Sequence, residues 1–167
     1  NYDGKITLLN QLASKYPNSP YAVNALYEKG RSYVQSRNSN QAIATFRELL
    51  NKYPESPVSR KAATEIGLLY YQNDDYNHAI EAYKYVISKY PGSEEARLAM
   101  RDLKSIYVEA NRVDEFAALA AQMPGVIRFE PSEQDSLTYI AAEKVYMKGE
   151  ISPARESFIR YLQSYPN

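Results

Sequence analysis

A Tyr-Pro pair recurs along the chain, and its spacing limits the fold more than any other feature. The pairs stand at Tyr16-Pro17, Tyr53-Pro54, Tyr90-Pro91 and Tyr165-Pro166. The first three are 37 residues apart, and the last gap of 75 is close to two periods. Self-similarity at such a fixed period marks a repeat architecture. Proline disfavours helical geometry in the residue before it, so each pair reads as a helix stop.

Between the stops lie two helical patterns and a short polar break. In residues 18–54, Ser19-Pro20 starts the first helix, since serine caps and proline suits the first turn. Ala22, Ala25, Leu26, Gly30 and Tyr33 follow at helical spacing. Ser36 to Asn40 breaks the pattern, and Ala42, Ile43, Phe46, Leu49, Leu50 and Tyr53 form the second helix. Residues 55–91 repeat this plan: Ser56-Pro57 starts, Asn73-Asp74-Asp75 breaks and caps, and Ala79, Ile80, Tyr83, Val86, Ile87 and Tyr90 close it.

The flanking units drift. Residues 1–17 align with a second helix whose first helix is missing, which suggests a fragment of a longer chain. In residues 92–125, Lys104 and Phe116 stand where earlier units carry glycine and alanine, and the second helix stops early at Met123-Pro124-Gly125. Residues 126–167 open with Val126, Ile127 and Phe129, apolar residues expected to patch that shortened helix. Ser132 to Asp135 then reads as a capping box, and Ser152-Pro153 as the start of the last helix.

Together these features predict an all-α fold of stacked helical hairpins. The small residues Gly30, Gly67, Ala42 and Ala79 would let paired helices approach, and Phe46, Tyr83 and Phe158 would fill the space between units. No hairpin of this kind buries its apolar face alone.

These residues resemble the tetratricopeptide repeat (TPR) family, which implies that the hairpins wind into a right-handed α-α superhelix. Its G-x2-Y, A-x3-F and closing Pro pattern is matched by Gly30-x2-Tyr33, Ala42-x3-Phe46 and Pro54. Gly67-x2-Tyr70, Ala79-x3-Tyr83 and Pro91 match again, as do Ala154-x3-Phe158 and Pro166. Leu26 and Ala63 replace the usual Trp. Units closing in Tyr-Pro and reopening with Ser-Pro resemble those of outer-membrane assembly lipoproteins and Tol–Pal-associated periplasmic proteins. That likeness implies a periplasmic or outer-membrane-associated setting in bacteria.

The resemblance also implies a role: a scaffold binding a protein or peptide along the first helix of each unit. The family's groove offsets fall on Asn24, Tyr27, Arg31 and Gln35, then on Lys61, Thr64, Leu68, Tyr71 and Gln72. Later units contribute Arg101, Ser105 and Glu109, then Tyr139, Glu143 and Tyr146. Tyrosines offer flat contact area at low entropic cost, and arginine pairs carboxylates. Tyr71 and Tyr146 could instead pack on the next helix. Tyr27 and Arg31 occupy offsets of the clamp some relatives use for a terminal carboxylate, so that clamp is absent. A structural spacer and an accessory domain of an enzyme or transport complex are the alternatives.

Composition narrows the classes further. Twenty basic and 20 acidic residues give a formal net charge of +0, so nucleic acid is not an expected partner. The chain has no cysteine, hence no disulfide or thiolate site, and no apolar run of membrane-spanning length. No cofactor, metal or enzymatic activity is expected. His78, the single histidine, reads as a solvated surface residue, and Asp74-Asp75 and Glu94-Glu95 as helix-start acids.

Overall fold

The computed structural model describes residues 2–166, and they form helices joined by short turns. In chain order these are α1 (Tyr2–Lys15), α2 (Pro20–Gln35), α3 (Ser39–Lys52), α4 (Pro57–Gln72), α5 (Tyr76–Lys89), α6 (Glu94–Glu109), α7 (Val113–Gln122), α8 (Pro131–Met147) and α9 (Ile151–Ser164). The all-α class and the helix pairs follow the sequence pattern.

Helix starts show their capping chemistry. The Ser19 and Ser56 hydroxyls accept from the Tyr21 and Val58 amides, with proline in each first turn. Ser93 accepts from the Ala96 amide at 3.1 Å. Two expected starts are corrected. Helix α8 begins at Pro131 behind Glu130, with no side-chain cap, so Ser132 lies inside the first turn rather than capping it. Pro131 carries the preset φ that the first turn needs. Helix α9 likewise begins at Ile151, ahead of Ser152.

The stops behave alike. Tyr53, Tyr90 and Tyr165 end their helices with ψ of 57°, 52° and 76°, outside the helical region, as a residue before proline must be. Two of these tyrosines then reach back one period. The Tyr53 hydroxyl donates to the Pro17 carbonyl at 2.5 Å, and Tyr90 donates to Pro54 at 3.3 Å.

A second device joins the two helices of each hairpin. Arg37, Asp74 and Asn111 all have positive φ, and Gly149 does the same in the last hairpin. The residue after each donates its amide five residues back: Asn38 to Tyr33 at 2.8 Å, Asp75 to Tyr70 at 2.9 Å, Arg112 to Tyr107 at 2.8 Å. This is the Schellman stop, which satisfies carbonyls left open at a helix end. Asn38 and Asp75 then cap the next helix with their side chains. One residue thus closes one helix and opens another.

The chain divides into two compact units, the first ending at Ala99 and the second starting at Met100. In the first, α1 packs on α2, α2 on α3, α3 on α4 and α4 on α5. Leu26, Ala42, Ile43, Phe46 and Leu49 share one core with Ala62, Ile66 and Leu69 of α4. The aromatic rings do more than fill space between hairpins. A Cβ at Gly67 would lie 2.6 Å from the Tyr83 ring, and one at Gly30 would meet Phe46 still closer. Each glycine therefore makes room for the ring of its own hairpin.

The second unit reverses that arrangement. Lys104 replaces the glycine, the ring moves to Phe116, and Ala120 stands where Phe46 and Tyr83 stand earlier. The Lys104 ammonium lies 5.9 Å from the Phe116 and Phe129 rings and pairs with Glu133 at 2.5 Å. Phe129 sits edge-on to Phe116 at 4.9 Å and so patches the short α7, and Ile127 is buried. Val126 does not, being exposed. Phe158 is half-buried, with its ring 5.8 Å from Tyr139 of the preceding helix.

Candidate functional site

In the first unit, α2 packs directly on α4, whereas among the described residues no Cα atom of α3 lies within 8 Å of one in α5. First helices that close up while second helices splay apart place α2 and α4 on the inner side of that unit. The sequence-derived residues of these helices are distributed there as follows.

Tyr27 is half-buried, with its ring 5.7 Å from Phe46. Arg31 stands exposed one turn further along α2, and the neighbouring Tyr27 hydroxyl, with Glu65 and Glu28, raises its guanidinium pKa further. Tyr27 and Arg31 thus lie side by side on one face of α2. Asn24, Gln35, Lys61 and Gln72 are exposed. Leu68 is half-buried. Thr64 donates to the Arg60 carbonyl at 3.1 Å, so its proton is spent on its own helix. Tyr71 is half-buried with its ring 6.1 Å from Tyr76, the packed alternative considered for it.

In the second unit, Arg101 binds the neighbouring Asp102 through two nitrogens, at 3.0 and 3.1 Å. Ser105 donates back to the Arg101 carbonyl at 3.2 Å. Glu109 faces Lys144 at 3.9 Å. The Tyr139 ring lies 5.6 Å from Tyr161, whose phenol pKa is raised chiefly by the neighbouring Asp135 carboxylate. Glu143 and Tyr146 are exposed, Tyr146 by 56%, so it does not take the packed alternative.

Sequence reasoning missed a cleft on the other side of the first unit. It lies where α3 and α5 part, over α4, and has a volume of 390 Å³. Arg47, Tyr70 and His78 line it. His78 is exposed but engaged: its ring stacks on Tyr70 at 5.0 Å, and Nδ1 meets Asp75 at 2.8 Å. The repeat pattern holds no signal for this cleft, because it is a gap between elements rather than a residue pattern.

Among the described residues, no group of three or more His, Cys, Asp or Glu is placed to hold a metal ion. No described helix is long and apolar enough to cross a membrane.

Comparison with known proteins places these features. Residues 23–114 match the YfiO family model, described as outer membrane lipoprotein. No curated protein matches. Solved structures similar in fold include MamA, with 19% identity and a TM-score of 0.55 over 97% of this chain and 81% of that one. A Podosopora anserina putative kinesin light chain with nearly identical TPR-like repeats matches at 14% identity and TM-score 0.53, covering 99% of this chain and 90% of that one. A Parabacteroides merdae tetratricopeptide repeat protein matches at 18% identity and TM-score 0.52, over 97% of this chain and 58% of that one. These likenesses establish the TPR fold.

Proposed function

Because the chain belongs to the YfiO outer membrane lipoprotein family, we propose that it is the protein- or peptide-binding module of a bacterial envelope protein, working in the periplasm or at the outer membrane. A TPR-like fold is a protein-interaction scaffold, and α2 and α4 supply the inner face on which a partner segment would lie.

The observation that carries this reading is Tyr27, packed on Phe46 with the exposed Arg31 one turn away on that face. The contact with Phe46 holds the Tyr27 ring before a partner arrives. Pre-ordered contacts cost little entropy on binding. Around the pair, Asn24, Gln35 and Lys61 offer exposed polar groups suited to a peptide backbone. In the second unit, Glu143 and Tyr146 are exposed groups of the same kind. Families of this kind are generally non-enzymatic scaffolds, and we read this chain the same way.

Photo-crosslinking in the parent protein tests the reading. A crosslinking residue at Asn24 or Gln35 should yield polypeptide adducts in cells, and one at Lys52, exposed at the end of α3, should not. Tyr27→Ala/Arg31→Ala should cut the adducts by about fivefold or more, as expected for anchor residues. A structural spacer would give no adduct from Asn24 or Gln35.

A further inference from the structure

From the cleft between α3 and α5 we infer a second binding site, distinct from the inner face, for a partner segment that carries a large apolar side chain beside a carboxylate. The cleft's 390 Å³ falls in the range of about 300–1,000 Å³ typical of small-ligand pockets. Its floor is Leu50, Ala63, Ile66 and Ala82. Ala63 and Ile66 are buried, and alanine at two of the four places leaves depth for an incoming side chain.

Three rings frame the floor. Tyr70 and His78 are stacked at 22° between planes. Tyr85 is 43% exposed and set edge-on to Tyr90 at 6.2 Å. Such walls favour an aromatic or large aliphatic group, which gains ring contacts as well as burial.

The charges decide what must flank that group. Glu81, the carboxylate lining the cleft, is paired with Lys84 at 3.1 Å. His78 is turned to Asp75. Arg47 donates one N–H to the Tyr70 hydroxyl at 3.0 Å and lies 6.0 Å from the Tyr70 ring centre. No carboxylate among the described residues pairs with it. A guanidinium has five N–H donors in a fixed fork, so most remain free for a partner. An aspartate or glutamate next to the buried side chain meets that fork, whereas a lysine there meets a like charge. The occupant is therefore an acidic–aromatic stretch of another polypeptide.

The test is a titration of the 167-residue chain, carrying labelled Ile methyls, with acetyl-Gly-Asp-Phe-Gly-amide followed by NMR. The Ile66 methyl and His78 ring signals should shift and saturate. Peptides with Lys in place of Asp, or Ala in place of Phe, should bind about tenfold more weakly, the scale of one charge-assisted contact or one buried ring. Arg47→Gln, at an exposed position, should abolish the preference for Asp over Lys. Tyr27→Ala/Arg31→Ala should leave the titration unchanged, which separates this site from the inner face. No saturable shift, or equal binding of the Asp and Lys peptides, would overturn the proposal. So would concentration-dependent shifts of the same signals without peptide, which would give the cleft to a second copy of the chain.

Discussion

At the scale of single residues, the hairpins depend on matching one missing side chain to one ring. Tyr83 is fully buried, and its ring occupies the volume that a Cβ at Gly67 would need. Gly67→Ala should therefore destabilise the fold by about 1–3 kcal/mol, the usual cost of overpacking. Tyr83→Ala should cost about 3–5 kcal/mol as a large-to-small change. The double variant should cost less than the sum, because removing the ring vacates the place the methyl needs. Denaturant unfolding of the three variants measures this, and simple additivity would contradict the ring-over-glycine account. The third hairpin shows the same rule inverted. Lys104 is tolerated there because position 120 is alanine and the ring has moved to Phe116. Tyr90 adds a pH dependence. Burial, with Tyr85 and Glu55 nearby, pushes its phenol up to about 12. The neutral form is thus favoured in the folded chain. Its contribution is complete below pH of about 10, the ordinary tyrosine value, and is lost as pH rises towards about 12. Wild type should be more stable than Tyr90→Phe at pH 8 by about 1 kcal/mol, one buried hydrogen bond, and that margin should vanish over this window. A margin independent of pH would sink the assignment.

At the scale of elements, the helix ends carry the repeat as much as the helix faces do. Arg37, Asp74 and Asn111 hold left-handed backbone, which costs about 1 kcal/mol in a residue with a Cβ. Arg37→Gly should raise stability by up to about 1 kcal/mol, and Arg37→Val should lower it by more, since a branched side chain fits that region worst. Thermal unfolding decides, and a destabilising glycine would show that the Arg37 side chain matters more than its backbone. These positions explain what the sequence could and could not reveal. The helices were legible because Ala22, Ala25, Leu26 and Gly30, like Ala79, Ile80 and Tyr83, repeat a chemical property at a fixed spacing. The left-handed stops were legible only as polar breaks, because Asp74 and Asn111 suit that backbone whereas Arg37 has no side-chain property that marks it. The Ser132 and Ser152 starts were misplaced because one turn of φ and ψ is chosen locally, here by Pro131 and by Glu150. The family's offsets put Tyr27 and Arg31 among the proposed contacts. They could not show that Thr64, Ser105 and Arg101 are committed to neighbours within their own helices, since hydrogen-bond partners depend on rotamers. The cleft lay beyond reach because it exists only where α3 and α5 fail to meet.

At the scale of the whole molecule, stability belongs to the stack and not to its members. The hairpin of α4 and α5 has an internal contact, Tyr83 over Gly67, but Ala62, Ile66 and Leu69 of α4 bury their side chains in a core shared with Leu26, Phe46 and Leu49. The Tyr90 hydroxyl reaches Pro54, which closes the unit before, just as the Tyr53 hydroxyl reaches Pro17 one period further upstream. Alone, a peptide of residues 55–91 would expose that apolar face to water, and two isolated helices of this length are marginal in water. The 55–91 peptide should therefore be largely unfolded, while residues 18–91 should gain more than twice its helicity per residue and melt cooperatively, since nearest-neighbour interfaces supply most of the stability of such arrays. Circular dichroism of the two peptides at equal residue concentration measures this directly. A cooperative melt from 55–91 alone would mean that each hairpin carries its own core, and the inner face could then flex one hairpin at a time. Absence of that melt means that neighbouring hairpins order one another, so that a partner seated on α2 also meets an α4 already in place.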